Sequence, residues 1–270
     1  MRKVKYLNNR DLLAEIHKSK NNYSSFTSPE YQDYDIILNS VDEITPINLE
    51  KAKANKAKRL SASLYEKQKS LNNSVKIADC EINPEEIETR EIIFRVMTFD
   101  HIPDDKSRRK NPKTIADSKV KLNFPPFQHW KYNDDNELIC VGKSHWVGGI
   151  ENGHFSLDHG TPTNNLAKMW IKLAERYGTR GNVRGYSYND EMVAQAIMQL
   201  SQIGLKFDES KSSNPFAYYS TVCTNSFIAV INQEKRNQTI RDEILEMNDL
   251  APSSSRLADN EWQASLARNE

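Results

Sequence analysis

The chain has little of what membranes, secretion or a large enzyme core require. In 270 residues no apolar run approaches the ~20 that a membrane-spanning helix needs. The opening MRKVKYLNNRDL carries no signal-peptide core, so export is not expected. There are only three cysteines, Cys80, Cys140 and Cys223, widely spaced. That excludes a disulfide framework and points to a reducing cytoplasm. Apolar residues reach 37% and mean hydropathy is −0.74. A helical protein that leans on partners suits this balance better than a compact barrel. Net charge is absent too, 37 Lys+Arg against 37 Asp+Glu, so only the distribution of charge bears on nucleic-acid binding.

Residues 2–20 hold six cations, Arg2, Lys3, Lys5, Arg10, Lys18 and Lys20, against Asp11 and Glu15, and Leu12, Leu13 and Ile16 read as a short helix. NNYSSFTSPEYQDYD reads as a loop. Pro46 to Leu71 is rich in helix formers and carries seven Lys/Arg against Glu50 and Glu66. Such a helix can lie on phosphates, although a solvated face is the commoner outcome. PEEIETREIIFRVM, Pro84 to Met97, reads as a second helix with an acidic first turn. Phe124-Pro125-Pro126-Phe127 interrupts, and ELICVGKSHWVGGIENGHFSLDHG follows, with β-formers and Gly-Gly and Asn-Gly turns that predict a small β-rich element.

After Pro162 the pattern turns helical. Leu166, Met169, Trp170, Leu173 and Tyr177 make one stripe, ended by Gly178. A turn rich in Gly and Arg, TRGNVRGYS, precedes a helix whose start resembles a capping box at Ser187 and Asp190. This helix buries Met192, Val193, Ala196, Ile197, Leu200 and Ile203 and turns Glu191, Gln195, Gln199 and Gln202 outward. The stretch Asn214–Arg236 then reads as one helix, with Asn214 as cap and Pro215 in the first turn. Phe216, Tyr219, Cys223, Phe227 and Val230 form its buried stripe. Tyr218, Thr221, Asn225 and Ile228 lie opposite, and Lys235 and Arg236 close it. Aromatic rings beside hydrogen-bonding groups and cations suit base stacking, edge reading and phosphate contact. On pattern alone, an amphipathic core helix with a solvated end is the favoured reading. Past Arg241 the tail carries seven Asp/Glu against two Arg.

Cys140, His145, His154 and His159 are of zinc-ligand type, but one cysteine at loose spacing favours satisfied side chains over a metal site. A nuclease built on His154, Asp158 and His159 would need a second carboxylate cluster for Mg²⁺, and none stands nearby. No metal or cofactor is expected.

GYSYNDEMVAQAIMQLSQIGLKFDE and NPFAYYSTVCTNSFIAVINQEKR resemble region 2 of bacterial sigma factors, and within them the late-transcription sigma factors of T-even-like bacteriophages and cyanophages. The Glu-Met-Val-Ala-Gln-Ala run, the Lys-Phe-Asp turn and the Asn-Pro-Phe-Ala-Tyr-Tyr start carry the resemblance over Pro162 to Met247, with a weaker patch at Tyr6–Leu13. ICVGKSHW and FDHIPDD are similar to an extension found in cyanophage members. The resemblance implies that Glu191, Gln195, Gln199 and Gln202 face the clamp coiled coil of the largest subunit of host RNA polymerase. Gln195 replaces an acid there, weakening a salt bridge to a neutral hydrogen bond. It implies that Phe216, Tyr218, Tyr219, Thr221, Asn225, Lys235 and Arg236 contact promoter DNA. Tyr218 would pack on unstacked bases, Asn225 would read an adenine edge, and Lys235 and Arg236 would hold phosphates. Thr221 and Val222 stand where the family wedges the duplex with tryptophans, so the helix is expected to recognise more than it melts. Nothing resembles the helix-turn-helix domain that reads a −35 element. A tail that docks on the replication sliding clamp would use Leu257, Trp262 and Leu266, and a phage coactivator is a further implied partner.

The expected fold is mainly α: a helical region 2 domain, a three- to four-helix bundle, with a small β-containing extension. Its expected parts are a basic helical segment at 1–25, the extension at 26–160, the sigma domain at 161–248 and an acidic tail at 249–270. The expected function is a non-catalytic initiation factor in the host bacterial cytoplasm, directing polymerase to a TATA-like −10 element. A metal-dependent DNA-processing enzyme and a polymerase-binding regulator without base contacts remain as alternatives.

Overall fold

Strands far apart in the chain come together in one sheet. The computed structural model describes residues 7–71, 77–103, 122–156 and 161–267. Strands β1 (Ser24–Phe26), β2 (Ile36–Leu38), β3 (Phe94–Val96), β4 (Gln128–Tyr132) and β5 (Leu138–Ser144) pair in the order β1-β5-β4-β3-β2. The β2–β3 pair is parallel and the other three are antiparallel. A two-stranded ribbon, β6 (Trp146–Val147) with β7 (His154–Phe155), turns through Gly148, whose φ of 97° favours glycine.

Two expectations are corrected here. Pro84–Met97 is not a helix: two short 3-10 turns, Pro84–Glu86 and Thr89–Glu91, lead into β3. Ile92 through Val96 are all buried, and a strand covered on both faces shows no alternation, so its apolar run imitates a helix. The passage read as a loop contains β1 and a 3-10 turn at Pro29–Gln32.

The helices are α1 (Asn9–Asn21), α2 (Pro46–Leu71), α3 (Asn164–Gly178), α4 (Asn189–Ile203), α5 (Pro215–Met247) and α6 (Ser254–Ala267), making the fold mainly helical with a small mixed sheet. Helix α1 starts where Asn8 Oδ1 accepts from the Asp11 amide at 2.7 Å. Helix α5 continues beyond the expected Arg236 to Met247. Ser187 lies outside α4; the Asn189 side-chain Nδ2 instead donates to the Gly178 and Val183 carbonyls at 3.1 and 3.0 Å. Among the described residues no helix is long and apolar enough to cross a membrane.

The chain forms two units, Met1–Met169 with Ser201–Tyr218, and Trp170–Leu200 with Tyr219–Glu270. In the first, α2 lays Ala52 and Ala57 against Leu38, Ile87, Ile92, Phe94 and Val96, small residues that let the helix approach the sheet closely. The second unit packs α3, α4 and α5 around aromatic contacts. Trp170 meets Tyr219 edge-on at 5.6 Å, and Tyr177 meets Phe227 at 6.1 Å. Gly178 permits this packing, since a Cβ there would lie 2.7 Å from Val193 Cγ2.

Candidate nucleic-acid interface

The first turn of α5 is built as its sequence demands. The Ala217 amide donates to Asn214 Oδ1 at 3.0 Å, and Pro215 follows the cap. A second cap comes from far away in sequence: the Phe216 amide donates to Asn9 Oδ1 at 3.0 Å.

The segment leading into this turn is held by charges that pattern reading does not single out. Lys20 Nζ, fully buried, donates to the Phe207 carbonyl at 3.0 Å and to Glu209 Oε1 at 2.8 Å. Arg95 Nη1 reaches the same Oε1 at 3.2 Å, and His17 meets Oε2. The Arg95 guanidinium lies between the Tyr34 and Phe127 rings, 3.9 Å from each centroid, an arrangement that favours a desolvated cation. Its Nε donates to His129 Nε2 at 2.9 Å, so that nitrogen carries no proton and His129 Nδ1–H donates to the Tyr31 carbonyl at 2.7 Å. Burial, then the Arg95 charge, pushes His129 well below the ordinary imidazole range. Burial raises Glu209, but Lys20, Arg95 and His17 outweigh it and hold the carboxyl well below its usual range. Burial lowers Lys20 despite Glu209 beside it. The Lys-Phe-Asp turn that carries part of the family resemblance is thus tied down through Phe207. No sequence pattern marks the role of Lys20, Arg95 or Glu209, because the three lie in different thirds of the chain.

Farther along, α5 buries Tyr219, Val222, Cys223, Phe227 and Val230. Burial pushes the Cys223 thiol up to about 11, which keeps it an unreactive thiol. Thr221, Asn225, Ile228, Asn232, Lys235 and Arg236 are exposed. Their spacings of three and four place Thr221, Asn225, Ile228, Asn232 and Arg236 on one stripe, with Lys235 beside its end. Asn225 has no hydrogen-bond partner among the described residues, so both edges of its amide are open to solvent.

The aromatic expectations need correction. Tyr219 is completely buried against Trp170 and cannot stack on a base. Tyr218 is half-buried; its hydroxyl donates to the Ile203 carbonyl at 3.0 Å and its ring tilts on Phe207 at 5.6 Å. Burial raises its phenol, consistent with a ring committed to packing. Phe216, expected in the buried stripe, is exposed on the first turn. On α4, Glu191 and Gln202 are exposed and Gln195 and Gln199 half-buried.

The metal-type residues do not converge. Cys140 lies on β5 with its thiol on the Gly142 carbonyl at 3.4 Å, and burial pushes its pKa up. His145 is buried at φ 54° with its ring 4.0 Å from Phe124, whereas His154 is exposed on β7 and His159 lies outside the described residues. Among the described residues no three His, Cys, Asp or Glu are placed to hold an ion. On the basic helix, Lys56 pairs with Glu91 and Arg59 with Asp35 and Asp33, so part of its charge is already matched. Leu257, Trp262 and Leu266 are exposed on α6. Compared with family models, curated proteins and solved structures, the chain matches none.

Proposed function

We propose that the protein is a sigma-type initiation factor that binds bacterial RNA polymerase and directs it to an A·T-rich −10 element. The observation that carries this reading is the α5 stripe, Thr221, Asn225 and Asn232 running into Lys235 and Arg236, exposed along a helix whose opposite face is buried from Tyr219 to Val230. Such a surface presents amide donor–acceptor edges to bases and cations to phosphates. The helical segments of the second unit are read as the bundle of a region 2 domain. Glu191 and Gln195, on the outer side of α4, are the polymerase-facing residues. With Tyr218 and Tyr219 committed to packing, aromatic contact with unstacked bases along α5 falls to Phe216, and strand opening falls to polymerase. The cellular setting implied is the cytoplasm of an infected bacterium.

Run-off transcription with core polymerase on −10-only templates tests this. Asn225→Ala is expected to relax base preference at one position by about 1–3 kcal/mol, a roughly fivefold or larger loss. Unchanged start-site choice would remove base reading from the proposal. The burial of Tyr219 and the tethering of Tyr218 to Ile203 and Phe207 favour one second reading, a polymerase-binding regulator that touches no bases. That reading predicts retention of core binding in Asn225→Ala, lost in Glu191→Lys, with no promoter preference at all.

A further inference from the structure

The Gly- and Arg-rich turn between α3 and α4 has no role in the reading above, yet it carries two exposed arginines. Val183 is buried and the Asn189 amide holds its carbonyl, so the turn is anchored at its middle. Arg180 and Arg184, on either side of that anchor, are exposed and have no ion-pair or side-chain hydrogen-bond partner among the described residues. The Arg180 guanidinium lies over the Tyr177 ring, 3.4 Å from its centroid, a cation–π contact that holds the group without using its donors. Beyond it, Tyr186 is 39% exposed and lies 5.1 Å from the Tyr188 ring at a 34° tilt. A ring tilted against one neighbour and still 39% exposed offers surface to one more planar group. Gly181 and Gly185 have nothing within 4 Å of where a Cβ would stand, so the backbone itself is approachable.

The turn adjoins α5. The Arg180 charge bears on Cys223, Glu234 bears on Tyr188, and the Thr224 hydroxyl donates to the Tyr177 hydroxyl at 3.4 Å. Glu175 and Asp190 line the polar cleft beside Arg184. Beside these carboxylates the cleft is no anion site by itself, and the exposed Arg180 and Arg184 are the cationic contact points.

We propose that Arg180, Arg184 and Tyr186 form a second contact for single-stranded DNA, the arginines on successive phosphates and Tyr186 stacked on one base. Stacking selects an unpaired strand, because bases in a duplex offer no free face. The proposal rests on the promoter-binding reading, but its test needs neither polymerase nor a promoter sequence.

The test is fluorescence anisotropy of the full chain with labelled dT20, rU20 and a 20-base-pair duplex across a KCl series. Arg180→Ala with Arg184→Ala is expected to flatten the log–log salt slope for dT20 by about 1.4, at roughly 0.7 per phosphate contact on single strands. Tyr186→Ala is expected to weaken dT20 about tenfold, to leave the duplex unaffected, and to be rescued by Tyr186→Phe. Arg184→Ala alone, at an exposed site, controls for folding through an unchanged melting curve. An unchanged slope, an inert Tyr186→Ala, tighter binding to rU20, or equal competition by polyglutamate would each overturn the inference. If Asn225→Ala leaves transcription unchanged while these variants still lose dT20, only the promoter reading fails. If the reverse holds, only this one does.

Discussion

Arg95 and the pair Arg180 and Arg184 show the same side chain in opposite circumstances. Arg95 is inaccessible, held by Glu209, His129 and Asn21 and layered between two rings. Arg180 and Arg184 are exposed, and among the described residues nothing takes a side-chain hydrogen bond from either. Tyr219 and Tyr186 repeat the contrast, one sealed against Trp170 and the other with a face to water. Where every donor is matched a residue stabilises the fold; where none is, it is free to meet a partner, as proposed for the two arginines. The contrast corrects the reading of α5 as well, since Tyr219 belongs with the first kind and Asn225 with the second.

The largest effect should come from breaking the buried charges. Glu209→Gln leaves Lys20 and Arg95 underpaired and is expected to cost about 3–5 kcal/mol in urea unfolding. A loss under 1 kcal/mol would show that the cluster is not the clamp its geometry implies. Because Glu209 is lowered in the folded state, its contribution is fully present above the unfolded pKa and disappears as pH falls through the folded one, so the variant should also lose part of the acid-side decline. Tyr219→Ala should cost a similar or slightly smaller amount, about 3 kcal/mol, through the cavity left beside Trp170. A near-neutral result there would reopen Tyr219 as a surface residue.

His129 supplies a smaller, pH-specific effect. Its folded pKa is depressed, so below about 6.5 the unfolded chain takes up a proton that the folded one refuses. Stability should therefore fall with acidification below that point, by up to about 1.4 kcal/mol per pH unit. His129→Gln, which keeps an acceptor for Arg95 Nε, should flatten that limb in unfolding measured from pH 5 to 7.5. Asn214→Ala removes the α5 cap and should cost about 1 kcal/mol by thermal melting. At the other end of the scale, Arg184→Ala should change stability by less than about 0.5 kcal/mol. A larger loss would place Arg184 with Arg95 and end the contrast.

Local chemistry was open to inspection in the residues themselves. The Asn214-Pro215 start of α5, the stripe through Tyr219, Cys223, Phe227 and Val230, the end of α3 at Gly178 and the run of α2 from Pro46 to Leu71 all follow from capping and 3.6-residue periodicity. These effects act within a turn or two, and the structure has them there. The sheet was only partly readable. Strand β5 and the β6–β7 ribbon announce themselves through β-formers and Gly-Gly and Asn-Gly turns, but β1, β2 and β3 are three-residue strands recruited from elsewhere, one of them disguised as a helix by burial on both faces.

The sequence by itself determined the helices at Pro46–Leu71 and after Pro162, the Asn214 cap and which face of α5 would be mostly apolar, because these depend on neighbours within a few residues. Only the tertiary structure decided that Phe216 faces water while Tyr218 is tethered to Ile203. It alone made a shared anchor of Lys20, Arg95 and Glu209, and left Arg180 and Arg184 unpaired. Whether a charge or a ring is consumed by the fold or kept for a partner depends on groups far away along the chain, and these meet only when it folds.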